Sequence, residues 1–339
     1  MHLLVTGGAG YIGSHVVKQL LETTNYDITI IDNLSTGQQS TVEKLAKLDP
    51  LSHQRKFAFY HMDLADFYSV EQIFKTNNFD AVIHFAASIV VPESISDPLK
   101  YYMNNTVNTA HLIQVCMKYN VNKFIFSSTA AVYGQPQTST VTETTPLAPI
   151  NPYGMSKMMS ERILQDTAQA RPDFRYVILR YFNVAGANRD QIIGQDFPNA
   201  THLIKVSAET ALGKRNRLNV YGSDYATPDG TCIRDYIHVD DLASAHLKGL
   251  EYLKRGQPSN IFNCGYGHGF SVLEVIKTMK KVSGNDFEVA LTARREGDPA
   301  SLIADTTKIK ALLGWAPIYD DLEIICSTAL KWESLTSIK

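Results

Sequence analysis

The sequence predicts an α/β protein: a doubly wound parallel sheet with helices on both faces, followed by a smaller mixed α/β part. Three observations predict it. Short apolar runs rich in β-branched or aromatic residues alternate with segments long enough to cross back over a sheet. The first run leads directly into a glycine-rich turn that opens a helix. Beyond Gly186 the alternation loosens into long polar loops, which in a compact protein are more often functional than idle. The chain has 339 residues, 44% of them hydrophobic, enough for one large or two medium domains with a substantial core.

The strands of the first half are "HLLVT", "DITIID", "KFAFY", "DAVIHFAA" and "KFIFSS". Their near-continuous apolar character suits strands buried on both faces. A helix from about Tyr153 to Ala170 leads to a sixth strand, "RYVILRYF". Next come the loop "GANRDQIIGQDFPNA", a helical "THLIKVSAETALG", a strand "RLNVYG" and the loop "SDYATPDGTCIRDYIHVDD". Asp240 and Asp241 are N-cap candidates for the helix "LASAHLKGLEYL", and "NIFNCG" reads as another sheet strand. The last third mixes helices with "FEVALTARREGDPASLIAD". No repeat, low-complexity tract or linker stands out.

Lys and Arg total 32 against 34 Asp and Glu, a formal charge of -2. Nothing here favours nucleic acid or a membrane surface as partner, so any phosphate must be met by a local site. Cys116, Cys232, Cys264 and Cys326 lie far apart, without metal-ligand spacing, and read as reduced, mostly buried thiols. No metal is expected. No basic-then-apolar leader opens the chain and no apolar run approaches the ~20 residues of a membrane span. A cytoplasmic protein is expected.

In "VTGGAGYIGSH", Gly7, Gly10 and Gly13 follow the first strand and open a helix. Glycines there permit a tight turn, close backbone approach to a pyrophosphate and close helix-on-strand packing, while the helix N-terminus offers amides and a positive dipole end. Asp32 ends the second strand, where it can accept hydrogen bonds from an adenosine ribose or serve as a turn cap in "DNLSTG". Its charge would repel a 2′-phosphate, so NAD is expected over NADP. Asp63, after the third strand, either reaches the adenine or is a strand-end turn residue.

In "NPYGMSK", Tyr153 and Lys157 stand one helical turn apart on one face. Alone the pattern is common, but it opens a helix after the fifth strand, whose end carries the hydroxyls of "SSTAAVYG". The site of an open α/β sheet lies outside the carboxyl ends of its strands. A tyrosine, with an ordinary pKa near ~10, is a poor base. A neighbouring ammonium and a cationic nicotinamide are expected to lower it. Thr129 could bridge a substrate hydroxyl and Tyr153, while Ser127 and Ser128 are expected to be satisfied by backbone.

Gly7, Gly10, Gly13, Thr129, Tyr153 and Lys157, in this order and setting, resemble the extended short-chain dehydrogenase/reductase family. Within it the chain resembles the branch of UDP-glucose 4-epimerases along almost its whole length, through "TGGAGYIGSH", "DNLSTG", "PLKYYMNN", "FSSTAAVYG", "NPYGMSK", "LRYFNVAGA", "DGTCIRDYIHVDDLA" and "RREGD". The resemblance implies a Rossmann domain over 1–180 that binds NAD, with segments of about 235–265 returning to it, and a nucleotide-sugar domain over 181–339. It implies interconversion of UDP-galactose and UDP-glucose: Tyr153, helped by Thr129 and Lys157, takes the 4-hydroxyl proton as C4 is oxidised, and the tethered keto sugar turns over and is reduced on its other face.

Sugar dehydratases of the family carry Thr-Asp-Glu where this chain has Thr129, Ala130 and Ala131. Elimination would need a local acid and base, so redox at one carbon is expected. The resemblance adds Tyr11, Ile12, Asn33, Leu64, Phe85, Ala86, Ala87, Asn104, Ser127 and Tyr181 to the NAD pocket. It assigns Phe182, Asn183, His202, Leu203, Asn219, Tyr221, Arg234, Arg295 and Asp298 to the UDP-sugar. Physically, Arg234 and Arg295 suit bidentate phosphate recognition and Asp298 a ribose; ion pairs Arg234–Asp235 and Arg295–Asp298 are the competing reading. His84, His202 and His238 read as packing or hydrogen-bonding histidines, although His202 falls where the family often has an amide near the nucleotide. Two positions depart from the pattern: Ile89 replaces a cofactor-touching lysine, and Leu302 stands at a sugar-pocket gate that can be tyrosine. The alternatives are a 4-epimerase of UDP-N-acetylglucosamine or UDP-glucuronate, a dehydrogenase or reductase using diffusible NAD, and a redox-sensing regulator. A homodimer through the helices of about Asn104–Tyr119 and Tyr153–Ala170 is the family expectation.

Overall fold

A computed structural model describes residues 1–48, 55–197, 200–295 and 298–336. Seven strands form one parallel sheet: β1 (His2–Thr6), β2 (Asp27–Asp32), β3 (Phe57–His61), β4 (Ala81–His84), β5 (Lys123–Thr129), β6 (Arg175–Tyr181) and β7 (Asn260–Cys264), in the order β7-β6-β5-β4-β1-β2-β3. Chain order reverses between β1 and β4, and a crevice at such a point is where open α/β sheets take ligands. The fold is the doubly wound Rossmann arrangement that the alternation of runs predicts.

Side chains of a strand alternate between faces, and here both faces are covered. Leu3 and Val5 of β1, Ile28 and Ile30 of β2, and Ile125 of β5 pack into one core, while Leu4, Ile31, Phe124 and Phe126 pack into the other. This is why the strands read as continuous apolar runs. Four helices position the site: α1 (Tyr11–Thr23), α2 (Pro152–Ala170), α3 (Leu203–Ala211) and α4 (Val239–Lys254).

The smaller part is built from short strands. Ile233–Arg234, Phe270–Ser271, Ser301–Ala304 and Thr140–Val141 form a four-stranded sheet. Asn183–Ala185 pairs with Tyr236–His238, and Leu218–Tyr221 with Val289–Thr292.

Several elements differ from the sequence reading. The strand in "DAVIHFAA" ends at His84, freeing Phe85 to Ala87 for the crevice. The helix expected from Asn104 begins instead with a π-helical stretch, Tyr102–Val107, before the α-helix Asn108–Lys118. Asp240 and Asp241 do not cap α4. His238 does, its ring accepting the Asp240 N–H at 3.1 Å, and both aspartates lie in the first turn. Asp241 is drawn away to accept Tyr266 Oη at 2.7 Å and the N–H groups of Ile318 and Tyr319 at 2.9 and 2.8 Å. The four cysteines are free and buried. Among the described residues no helix is long and apolar enough to cross a membrane, and no cluster of His, Cys, Asp or Glu could hold a metal.

Candidate active site

A cleft of about 1090 Å³ runs along the carboxyl ends of the large sheet and under the smaller part. Its first wall is the turn between β1 and α1. Gly7 sits at φ +72°, and a Cβ there would lie 2.6 Å from Ala86 N; a Cβ on Gly13 would lie 2.2 Å from Gly7 O. Only glycine lets this turn fold onto its own strand and neighbour. Gly10 is the N-cap of α1, no side chain caps that end, and no acid lies in its first turn. The amides and dipole of α1 therefore stay available to an anion.

Asp32 is 7% exposed and lines the cleft. It accepts the N–H of Ala9 at 3.0 Å and that of Leu34 at 2.8 Å, so it buttresses the glycine turn and caps its own loop as well. Burial raises its pKa, with these amides pulling the other way. Asp63 accepts Asn33 Nδ2 at 2.7 Å and the Ala65 N–H at 2.8 Å. It is a turn residue that also faces the cleft. Tyr11, Ile12, Asn33, Leu64, Phe85, Ala86, Ala87 and Tyr181 line the same stretch, as does Asn104, which donates to Ser88 Oγ at 2.9 Å.

At the far end of β5 the three hydroxyls have three different partners. Ser127 Oγ lies 2.9 Å from His246 Nε2, and Ser128 donates to Glu161. Both are fully buried, so the expected backbone satisfaction gives way to side chains brought from α4 and α2. Thr129 alone lines the cleft. Its oxygen accepts the Ala131 N–H at 3.1 Å, and its hydroxyl approaches Tyr153 closely enough to oppose the burial-driven rise of that phenol's pKa. Gly154 makes this approach possible, since a Cβ there would lie 2.7 Å from Ala131 O. Asn151 caps α2 by accepting the Gly154 N–H at 2.8 Å, with Pro152 in the first turn.

Lys157 and Ser127 lie behind the cleft wall. Lys157 Nζ donates to Ser127 O at 3.0 Å and stands 4.9 Å above the Phe126 ring. Burial pulls its pKa down to about 7, partly opposed by Glu161. The expected lowering of Tyr153 does not come from the chain. Burial raises that phenol and Thr129 opposes the rise.

On the other side, Phe182, Asn183, His202, Leu203, Asn219, Tyr221, Arg234, Arg295 and Asp298 all line the cleft. The competing ion pairs do not form as written. Arg234 Nη2 reaches Asp298 Oδ1 at 3.4 Å, while Asp235 is fully buried and accepts the amides of Tyr266 and Gly267 at 2.8 and 3.0 Å. The Arg295 guanidinium lies 3.8 Å above the Tyr221 ring and draws that phenol's pKa down. α3, like α1, starts in the cleft wall with no side-chain cap and no acid in its first turn.

His84 is held between Thr6 and Thr109 at 2.6 and 2.8 Å, and burial takes it down to about 3. His202 lies 3.0 Å from Gln195 Nε2, and His238 is the α4 cap. Ile89 and Leu302 both face the cleft. Gln195, Phe197 and Arg217 also line it without having been singled out. For Gln195 and Phe197 the long polar loop was the available signal, but nothing in it marked which residues turn inward; Arg217 opens the strand "RLNVYG".

Known proteins bear the same pattern. Residues 3–265 match the model of the NAD dependent epimerase/dehydratase family. The chain is 47% identical over 331 residues to a UDP-glucose 4-epimerase of Azospirillum brasilense, covering 98% of this chain and 91% of that protein. Among solved structures, the UDP-Glc/GlcNAc 4-epimerase of Campylobacter jejuni is 58% identical with a TM-score of 0.86, over 98% of this chain and 99% of that one. The UDP-glucose 4-epimerase of Bifidobacterium longum, solved with NAD+ and UDP, is 38% identical with a TM-score of 0.92, over 99% of both. With glycine turn, tyrosine, lysine and cleft in one frame, the chain belongs to the NAD dependent epimerase/dehydratase family.

Proposed function

We propose that the chain interconverts UDP-galactose and UDP-glucose by transient oxidation at sugar C4, with NAD as its cofactor. The observation that carries this reading is that Thr129 and Tyr153 line the cleft together, with Lys157 behind them and Ala130 and Ala131 rather than acids beside them. NAD, when bound, supplies a reversible hydride acceptor and a positive charge.

The uncapped start of α1 and the Gly7–Gly13 turn suit its pyrophosphate, and Asp32 its adenosine ribose. We assign residues 1–180, with about 235–265, to the NAD domain, and 181–339 mainly to the nucleotide-sugar domain. Phe85 to Ala87, Asn104 and Tyr181 wall the nicotinamide end, and Ser127 and Lys157 support it from behind. Tyr153 removes the 4-hydroxyl proton and later returns it, and Thr129 orients both oxygens. The uncapped start of α3, Arg234 and Arg295 take the diphosphate, and Asp298 the uridine ribose. Holding the nucleotide end and leaving the sugar loosely bound lets one ring present either face.

Leu302 favours N-acetylhexosamine as a second substrate class, since this side chain is smaller than a tyrosine gate. The solved structure from Campylobacter jejuni, 58% identical, is named for both sugars. Solvent-facing apolar side chains at Met103 and Val107, in the stretch that leads into the first helix expected to pair, and at Met159 on the second support a homodimer. Met103→Glu should give monomers by light scattering, and an unchanged mass would count against that face. A cytoplasmic setting suits the reduced thiols.

The test of the function is to incubate the purified protein with UDP-galactose, without and with catalytic NAD+, and follow UDP-glucose. Conversion supports the reading. NAD+ consumed in proportion to product would replace it with a dehydrogenase.

A further inference from the structure

Glu161 is fully buried in α2, one turn after Lys157 and two after Tyr153. Spacings of four place all three on one helix face. Arg180 of β6 meets it as a two-pronged partner, Nε at 3.0 and 3.1 Å from the two carboxylate oxygens and Nη2 at 2.6 Å from Oε2. Arg180 Nη1 goes on to Tyr133 Oη at 3.0 Å, and Tyr133 donates to Asn263 Oδ1 of β7 at 2.6 Å. Ser128 of β5 donates to the same carboxylate.

Each tie in this network is adjacent to a cleft residue. Ser128 immediately precedes Thr129, Arg180 immediately precedes Tyr181, and Glu161 shares its helix face with Tyr153 and Lys157. A buried ion pair of this kind is a poor source of net stability, because desolvating two charges offsets their attraction. It is better suited to fixing geometry, since it has one well-satisfied arrangement.

We propose that Glu161, clamped by Arg180 and Ser128, is a positioning residue that locks the ends of β5 and β6 to the first turns of α2, and so sets the Thr129-to-Tyr153 geometry on which turnover depends. The carboxylate also opposes the effect of burial on Lys157. The proposal rests on the reading of Tyr153 as the base.

Glu161→Gln keeps the shape and removes the charge and one strong acceptor. The expected result is a kcat lower by about 10- to 100-fold, the scale of a misplacement near 1 Å, with the KM for UDP-galactose within about twofold, and a lower melting temperature because Arg180 is left buried without its counter-charge. A kcat within about twofold of the parent overturns the proposal, as does a fall in kcat matched by a rise in KM. Should that variant not fold, Ser128→Ala decides: kcat about tenfold lower at unchanged KM supports the proposal, and unchanged kcat overturns it. Tyr153→Phe in the same assay separates the two levels. If it is active, the base assignment fails; if it is inactive while Glu161→Gln is normal, only the positioning role fails.

Discussion

Thr129→Val tests the link between the strand end and the catalytic tyrosine. Valine matches the shape of threonine but removes the hydroxyl that shares the cleft wall with Tyr153 and accepts the Ala131 N–H. Thr129 is 9% exposed and Tyr153 8%, so solvent screens the interaction little. A hydrogen bond to a group that becomes charged is worth about 1.5–3 kcal/mol. If that group is the phenolate, kcat should fall about 10- to 150-fold, because the contact strengthens as the charge develops. KM should stay within about twofold, and Thr129→Ser, which keeps the hydroxyl, should recover most of the rate. The loss of the acceptor for Ala131 N should cost about 1 kcal/mol of stability in addition. Initial rates of UDP-glucose formation over a range of UDP-galactose concentrations give both constants. A kcat within twofold of the parent, or a valine variant as active as the serine one, would refute the idea that this hydroxyl stabilises Tyr153.

Gly154→Ala would put a methyl 2.7 Å from Ala131 O; although alanine favours a helix by about 1 kcal/mol, α2 must move off the turn, and kcat should drop by on the order of 10-fold or more, with unchanged kcat contradicting the packing. Leu302→Tyr should abolish most turnover of UDP-N-acetylglucosamine while leaving UDP-galactose within a few fold; equal loss of both would remove Leu302 as the gate. Stability should fall steeply with acid. His15, His238 and His246 are held by burial at about 4 and His84 at about 3, below the ~6.5 of an unfolded histidine. The unfolded chain then binds more protons below pH 6.5, so each group withdraws up to about 1.4 kcal/mol per pH unit between there and its folded value. Asp235, raised to about 6 by burial, and Asp32, Asp240 and Asp241, raised by the same cause, act in the opposite sense, but their shifts are smaller than those of the four histidines. Melting temperatures that stay level from pH 7 to 4.5 would show these histidines to be less buried than described.

The parts of the site legible in the sequence are those made by neighbours in the chain. Gly7, Gly10 and Gly13 announce a turn, and Tyr153 and Lys157 announce a shared helix face. The parallel sheet with helices on both faces followed from short runs joined by long crossovers. The misreadings come from contacts between distant segments. Ser127 meets His246, 119 positions away, and Arg234 pairs with Asp298 rather than with adjacent Asp235. His238, not an aspartate, caps α4, because Asp241 is engaged with Tyr266 and two amides of the 318–319 loop. Glu161 was within reach, as the third member of a four-residue periodicity, but its meaning depends on Arg180 arriving from another strand.

The most direct test of the central claim compares the parent protein with Tyr153→Phe, measuring UDP-galactose turnover alongside NAD binding and melting temperature. The expected result is retained folding and NAD binding with turnover lower by orders of magnitude. A folded, NAD-binding phenylalanine variant that still converts UDP-galactose at near-parental rate would contradict it, and the base would have to be sought elsewhere in the cleft.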